Sequence, residues 1–127
     1  MELLNPVYQT KLEEAGERGN CLAAAVASLF GLSLNDVPEF EEIRSPGQWK
    51  EAFRDWACTR GYAIQKGYSL KPDTLCIAVG HSQRGKRHAV VARGQHLVHD
   101  PHPSQSGLVT FEYCLYFIPL AANGTSQ

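Results

Sequence analysis

HAVVARGQHLVHD, residues 88–100, holds two apolar runs on either side of Gly94. β-Branched residues flanking a central glycine read as a hairpin of two strands. Strand faces alternate with period two, so the number of turn residues decides whether His88 and Asp100 share a face. A three-residue loop, Arg93 to Gln95, sets Ala92 opposite His96, Val90 opposite Val98 and His88 opposite Asp100. A two-residue loop puts His88 and Asp100 on opposite faces. The three-residue loop is the one expected here. The Asp100 carboxylate then accepts a hydrogen bond from His88, fixes its tautomer and leaves the second ring nitrogen to take a proton.

The same texture of short apolar runs extends on both sides of this hairpin. YAI at 62–64, TLCIAV at 74–79 and YCLYFIPL at 113–120 join HAVVAR and HLVHD as predicted strands, separated by turn residues. Before Gly61 the spacing is helical. Leu22, Val26, Leu29 and Phe30 recur after Asn20, a good N-cap residue, and before Gly31, placed as a left-handed C-cap, which predicts a helix over 21–30. Residues 32–44 read as a connection with a helical turn around Leu34 to Val37, stopped by Pro38. Ser45, Pro46 and Gln48 then open a second helix as N-cap, N1 and N3, with Trp49, Phe53 and Trp56 as its apolar stripe and Gly61 as its end. Helices first and an antiparallel sheet afterwards make an α+β domain.

A chain of 127 residues fits one domain, with an ordered core expected over about 5–120 and a tail at 121–127. Hydrophobic residues make up 43% and the formal charge is −1, so there is none of the basic excess that nucleic acid attracts. No apolar stretch approaches the roughly 20 residues a membrane helix needs, and MELLNPVYQTKLEE lacks the zones of a signal peptide. A cytoplasmic location with no membrane partner is expected. Cys21, Cys58, Cys76 and Cys114 are scattered and form no C-x-x-C pair, so reduced thiols are expected, with Cys58, Cys76 and Cys114 in the core. The Asn123-Gly124-Thr125 sequon then carries no sugar, because glycosylation requires secretion.

Cys21 opens the first helix in GNCLAAAVASLFG, residues 19–31. It has two readings: a small buried hydrophobe, or a nucleophile whose pKa is lowered by the helix N-terminus and a neighbouring imidazolium. In the second reading the Cys21 backbone N–H helps to form an oxyanion hole, and Gln9 or Asn20 supplies a side-chain amide. His88 is the base. Asp100 orients it, with His99 or Asp73 as alternatives. His96, His99 and His102 have the spacing H-x-x-H-x-x-H, but Pro101 and Pro103 break any helix that would align them, and residues 96 and 99 of a strand face opposite ways. No metal and no cofactor is expected. His81, Ser82, Arg84 and Arg87 border His88 and read either as a solvated turn or as a wall that touches a carboxylate-bearing substrate.

Taken together, Gln9, Cys21, His88 and Asp100 stand in the order found in papain-like cysteine peptidases, which this chain resembles. HAVV at 88–91 and DP at 100–101 are similar to the His strand and the Asp-Pro strand end of double-glycine leader peptidases. VYQT at 7–10, GNC at 19–21 and HDPHP at 99–103 resemble small bacterial and phage proteins, so the resemblance spans about positions 5–120. It implies a papain-like fold and cleavage of a peptide or isopeptide bond through Cys21, His88 and Asp100, with Gln9 in the oxyanion hole. It also implies a bacterial host cell, with phage encoding a further option. Two rival functions remain: an acyl transferase on the same scaffold, and a catalytically silent binding module that sequesters a host protein.

Overall fold

A computed structural model describes residues 6–10, 20–38, 40, 48–83, 85 and 87–120. Residues 11–19, the cap residues Ser45 and Pro46, the substrate-wall residue Arg84 and the tail with its sequon lie outside these residues. Helix α1 (Cys21–Phe30) occupies its predicted span and ends at Gly31, whose left-handed backbone (φ 69°, ψ 30°) closes the helix as a glycine cap does. Leu22 through Leu29 are all buried. The alanines between the stripe residues have no bulk, so neighbours approach the helix from every side.

Ser28 is the polar exception inside this buried helix. Its hydroxyl donates to Ala24 O at 2.9 Å and accepts from Val7 N at 2.7 Å, which docks the segment 6–10 along α1. The N-cap expectation fails at the other end. Asn20 makes no side-chain cap. Its Oδ1 accepts from Thr10 N at 3.1 Å and its Nδ2 donates to Thr10 Oγ1 at 3.0 Å. One partner satisfies both ends of the amide, whereas a cap would use only its oxygen.

A short 3₁₀ turn (Leu34–Asp36) follows, and α2 (Gln48–Thr59) buries Phe53 and Ala57. Cys58 is exposed, contrary to its expected place in the core, because it lies one position, about 100° of helix rotation, beyond the buried Ala57. Cys76 and Cys114 are fully buried, and no disulfide joins the four cysteines. Burial pushes the Cys76 thiol up to about 12, with neighbouring Cys114 adding to it, so this thiol stays protonated at neutral pH.

Strands β1 (Tyr62–Gly67), β2 (Leu75–His81), β3 (Arg87–Arg93), β4 (His96–His99) and β5 (Tyr113–Pro119) form one antiparallel sheet in the order β1-β5-β2-β3-β4. Ile77, Val79, Ala89, Val91 and Leu115 face α1 and α2. Cys76, Ala78, Val90, Ala92, Cys114 and Tyr116 face the other way and pack against Leu70 and Leu108. Gly80 makes the cover on this second face possible. A Cβ there would stand 1.9 Å from Thr110 O, so only glycine lets the chain pass this closely.

The hairpin reaches the expected facing by a different route. Arg93 pairs with His96 and Ala92 with Leu97, so the turn has two residues, Gly94 and Gln95, with Gly94 in the left-handed region at φ 57°. The register then shifts, and Val91 pairs with His99. Val98 is the extra residue of this β-bulge, and one inserted residue reverses the facing of all that follows. Asp100 thereby comes to the His88 face, which a two-residue turn alone would have denied it.

Candidate active site

His88 and Asp100 form the centre of the site. His88 Nε2 donates to Asp100 Oδ1 at 2.6 Å, and the two residues are 4% and 0% exposed. Oδ1 also accepts from His102 N at 2.8 Å, and Oδ2 accepts from Gly107 N at 2.8 Å. The turn that supplies these donors is wound tightly. Gln105 (φ 57°) and Gly107 (φ 72°) both have left-handed backbone, and the Gln105 amide donates to the carbonyls of Asp100 and His102. Burial alone would raise the Asp100 pKa, but the hydrogen bonds from His88, His102 and Gly107 outweigh it and hold the carboxyl down at about 2. An ionised carboxylate only accepts, so Nε2 carries the proton and Nδ1 is the ring's basic nitrogen.

A measurable acid sensitivity follows from that depressed pKa. The unfolded group titrates near 3.8, so its stabilisation is complete above that pH and is lost as pH falls through about 2. Urea unfolding at pH 5 and at pH 2 should show a loss of about 2 kcal/mol in the wild type that Asp100→Asn does not share. Equal losses in both proteins would mean that Asp100 does not carry the effect.

The segment 6–10 brings the N-terminal candidates to this end of the sheet. Gln9 N donates to Pro101 O at 3.0 Å, the Gln9 side-chain oxygen is buried, and Thr10 holds Asn20 beside Cys21. Cys21 is half-buried at the first position of α1 and packs against the helix-side core. It also acts on Tyr113, whose hydroxyl pKa is raised by burial, lowered by Lys66 and Arg87, and raised by Glu112 and Cys21. Tyr113 pairs with Val79, and Val79 pairs with Ala89, the residue after His88. Cys21 and His88 therefore share one end of the sheet.

They approach it from different sides. Alternation along β3 places His88 with Val90, on the face away from α1, and the route between thiol and imidazole passes round the end of β3. Among the described residues the hydrogen bonds join His88 to Asp100 and include none from Cys21 to His88.

The alternative orienting groups are elsewhere. His99 Nε2 donates to Val7 O at 2.7 Å and its ring meets Tyr8 edge-on, which ties β4 to the N-terminal segment. Asp73 lies at the opposite end of the hairpin, its backbone N at 3.1 Å from where a Cβ on Gly94 would stand. His96 is exposed and His102 Nδ1 bonds the Ser104 hydroxyl, so the three spaced histidines have separate surroundings. Ser82 is buried. His81 and Arg87 both reach Glu112, His81 Nδ1 at 3.4 Å and Arg87 Nη2 at 3.0 Å. Glu112, Gln105 and Gly107 escaped the sequence reading, because their roles depend on a loop that returns over the sheet before β5.

No family model, no curated protein and no solved structure matches the chain. Among the described residues no helix is long and apolar enough to cross a membrane.

Proposed function

We propose that the protein is a papain-like thiol hydrolase that cleaves peptide or isopeptide bonds. The observation that carries this reading is the buried His88–Asp100 pair, whose Nε2–H···Oδ1 bond directs Nδ1 to be the proton acceptor, at the sheet end where a helix opens on Cys21. In this mechanism His88 takes the Cys21 proton, and the thiolate attacks the amide carbon. The oxyanion is held by the Cys21 backbone N–H and the Gln9 amide. Asn20 is the weaker donor, since its Nδ2 is already given to Thr10. The C–N bond breaks as His88 returns its proton to the leaving amine, and water then hydrolyses the thioester through the same histidine. Asp100 stabilises the imidazolium throughout. The chemistry needs no cofactor, and a reactive thiol suits a reducing compartment such as the bacterial cytoplasm.

A second reading is favoured by one observation, the enclosure of His88 under the 100–112 loop on the face away from Cys21. In that reading the pair is a structural clamp, and the domain binds a protein partner without turnover.

Alkylation of Cys21 separates the two. In a Cys58→Ser background, which removes the exposed competing thiol, iodoacetamide labelling is followed against pH with and without His88→Ala. The hydrolase predicts rapid labelling well below the ordinary thiol pKa of about 8.5, abolished by His88→Ala in a protein that still folds. Slow labelling that follows an ordinary thiol in both proteins would leave the binding module.

A further inference from the structure

An open, shallow groove of about 100 Å³ lies between α2 and the β1–β5 pair. Phe53, Ile64 and Tyr113 form its apolar floor, and Lys50, Arg54 and Lys66 stand along it. The placement follows from local geometry. Residues 50, 53 and 54 share one helix face by their i, i+3, i+4 spacing, while Ile64 and Lys66 alternate onto one face of β1. Lys66 is held in place by aromatic rings, with its Nζ 4.4 Å from the centroid of Tyr113 and 5.5 Å from that of Tyr68. None of the described residues lining the groove is acidic. In a chain whose formal charge is −1, three cations gathered over an apolar floor are a local departure from the average. Tyr113 lines the groove and, like Cys21, packs against the helix-side cluster.

We propose that this groove binds an extended peptide segment, with an acidic side chain between Arg54 and Lys66 and an apolar one against Ile64. As the site that selects a substrate it rests on the thiol-hydrolase reading; as a binding groove it does not. The positive rim speeds encounter with acidic chains, and the apolar floor holds whichever of them carries alternating hydrophobic residues.

The test uses the full chain carrying Cys21→Ala, so that nothing is turned over, and fluorescein-labelled peptides that alternate leucine with glutamate, glutamine or lysine. Anisotropy titration should give a Kd for the glutamate peptide about tenfold below that for the glutamine peptide, with the lysine peptide weakest. Raising the salt should erase the difference. Arg54→Gln and Lys66→Gln, both at exposed positions, should each reduce the preference, and Arg54→Glu should reverse it, in proteins whose circular dichroism is unchanged. Equal affinity for glutamate and glutamine peptides would overturn the proposal and leave the hydrolase reading untouched. Conversely, a selective groove in a protein whose Cys21 labels like an ordinary thiol would sink the hydrolase and keep the groove.

Discussion

Replacing Asp100 with alanine is expected to destabilise the fold by about 3–5 kcal/mol, the cost of stripping one partner from a buried ion pair. Three donors lose their acceptor at once: His88 Nε2–H, His102 N–H and Gly107 N–H. None has an obvious route to water, since Asp100 is fully buried and the loop that covers it passes over Gly80 too closely for any Cβ. Each buried donor left unpaired costs on the order of 1–3 kcal/mol, and the loop that those bonds anchor should loosen with them. Thermal unfolding followed by circular dichroism should show a fall in Tm of about 10–20 °C. A change below about 1 kcal/mol would mean that the 100–107 turn is held by something other than this carboxylate. Asp100→Asn should fall between wild type and alanine, because it keeps one acceptor oxygen for His88 and His102 but turns a donor toward Gly107 N–H.

The second large effect is on rate. If Cys21 is the nucleophile, Cys21→Ala should lower amide hydrolysis by at least about 10³-fold, read by mass spectrometry on a peptide library incubated with each variant. His88→Ala should lose a similar factor, and the double variant should be no worse than either single one, because nucleophile and base act as a unit. Near-additive losses would show that the two residues work independently, and full activity in Cys21→Ala would place the chemistry elsewhere. Cys21 is half-buried at a helix end, so this substitution should cost stability far less than Asp100→Ala does, which keeps the two predictions distinct.

Much of the architecture was legible in local patterns. The helix over 21–30 ends where Gly31 supplies a left-handed backbone, and every predicted strand after Gly61 is present with its ends moved by only a few residues. Cys58 misled because apolar neighbours in sequence are not neighbours on a helix surface. Asn20 misled because an N-cap competes with any other partner in reach, and Thr10, ten residues earlier, offered two bonds at once. The hairpin shows most clearly how far local reasoning extends. His88 and Asp100 do meet, yet through a two-residue turn and a bulge at Val98 in place of the three-residue loop. Facing has period two, so any odd insertion satisfies the same requirement, and sequence spacing cannot distinguish a longer turn from a bulged strand.

By itself, then, the order of residues determined the succession of helices and strands, the hairpin about Gly94 and the histidine and carboxylate that meet across it. These depend on periodicity and on short-range backbone preferences, which act between near neighbours. Only the tertiary structure decided that the 6–10 segment would carry Gln9 to Pro101, that a loop would close over Gly80 and clamp Asp100, and that Lys66 would stand across the groove from Arg54. Such contacts join residues far apart along the chain. They form because burial leaves specific donors and acceptors that must be paired, and which ones are left depends on how the whole chain packs.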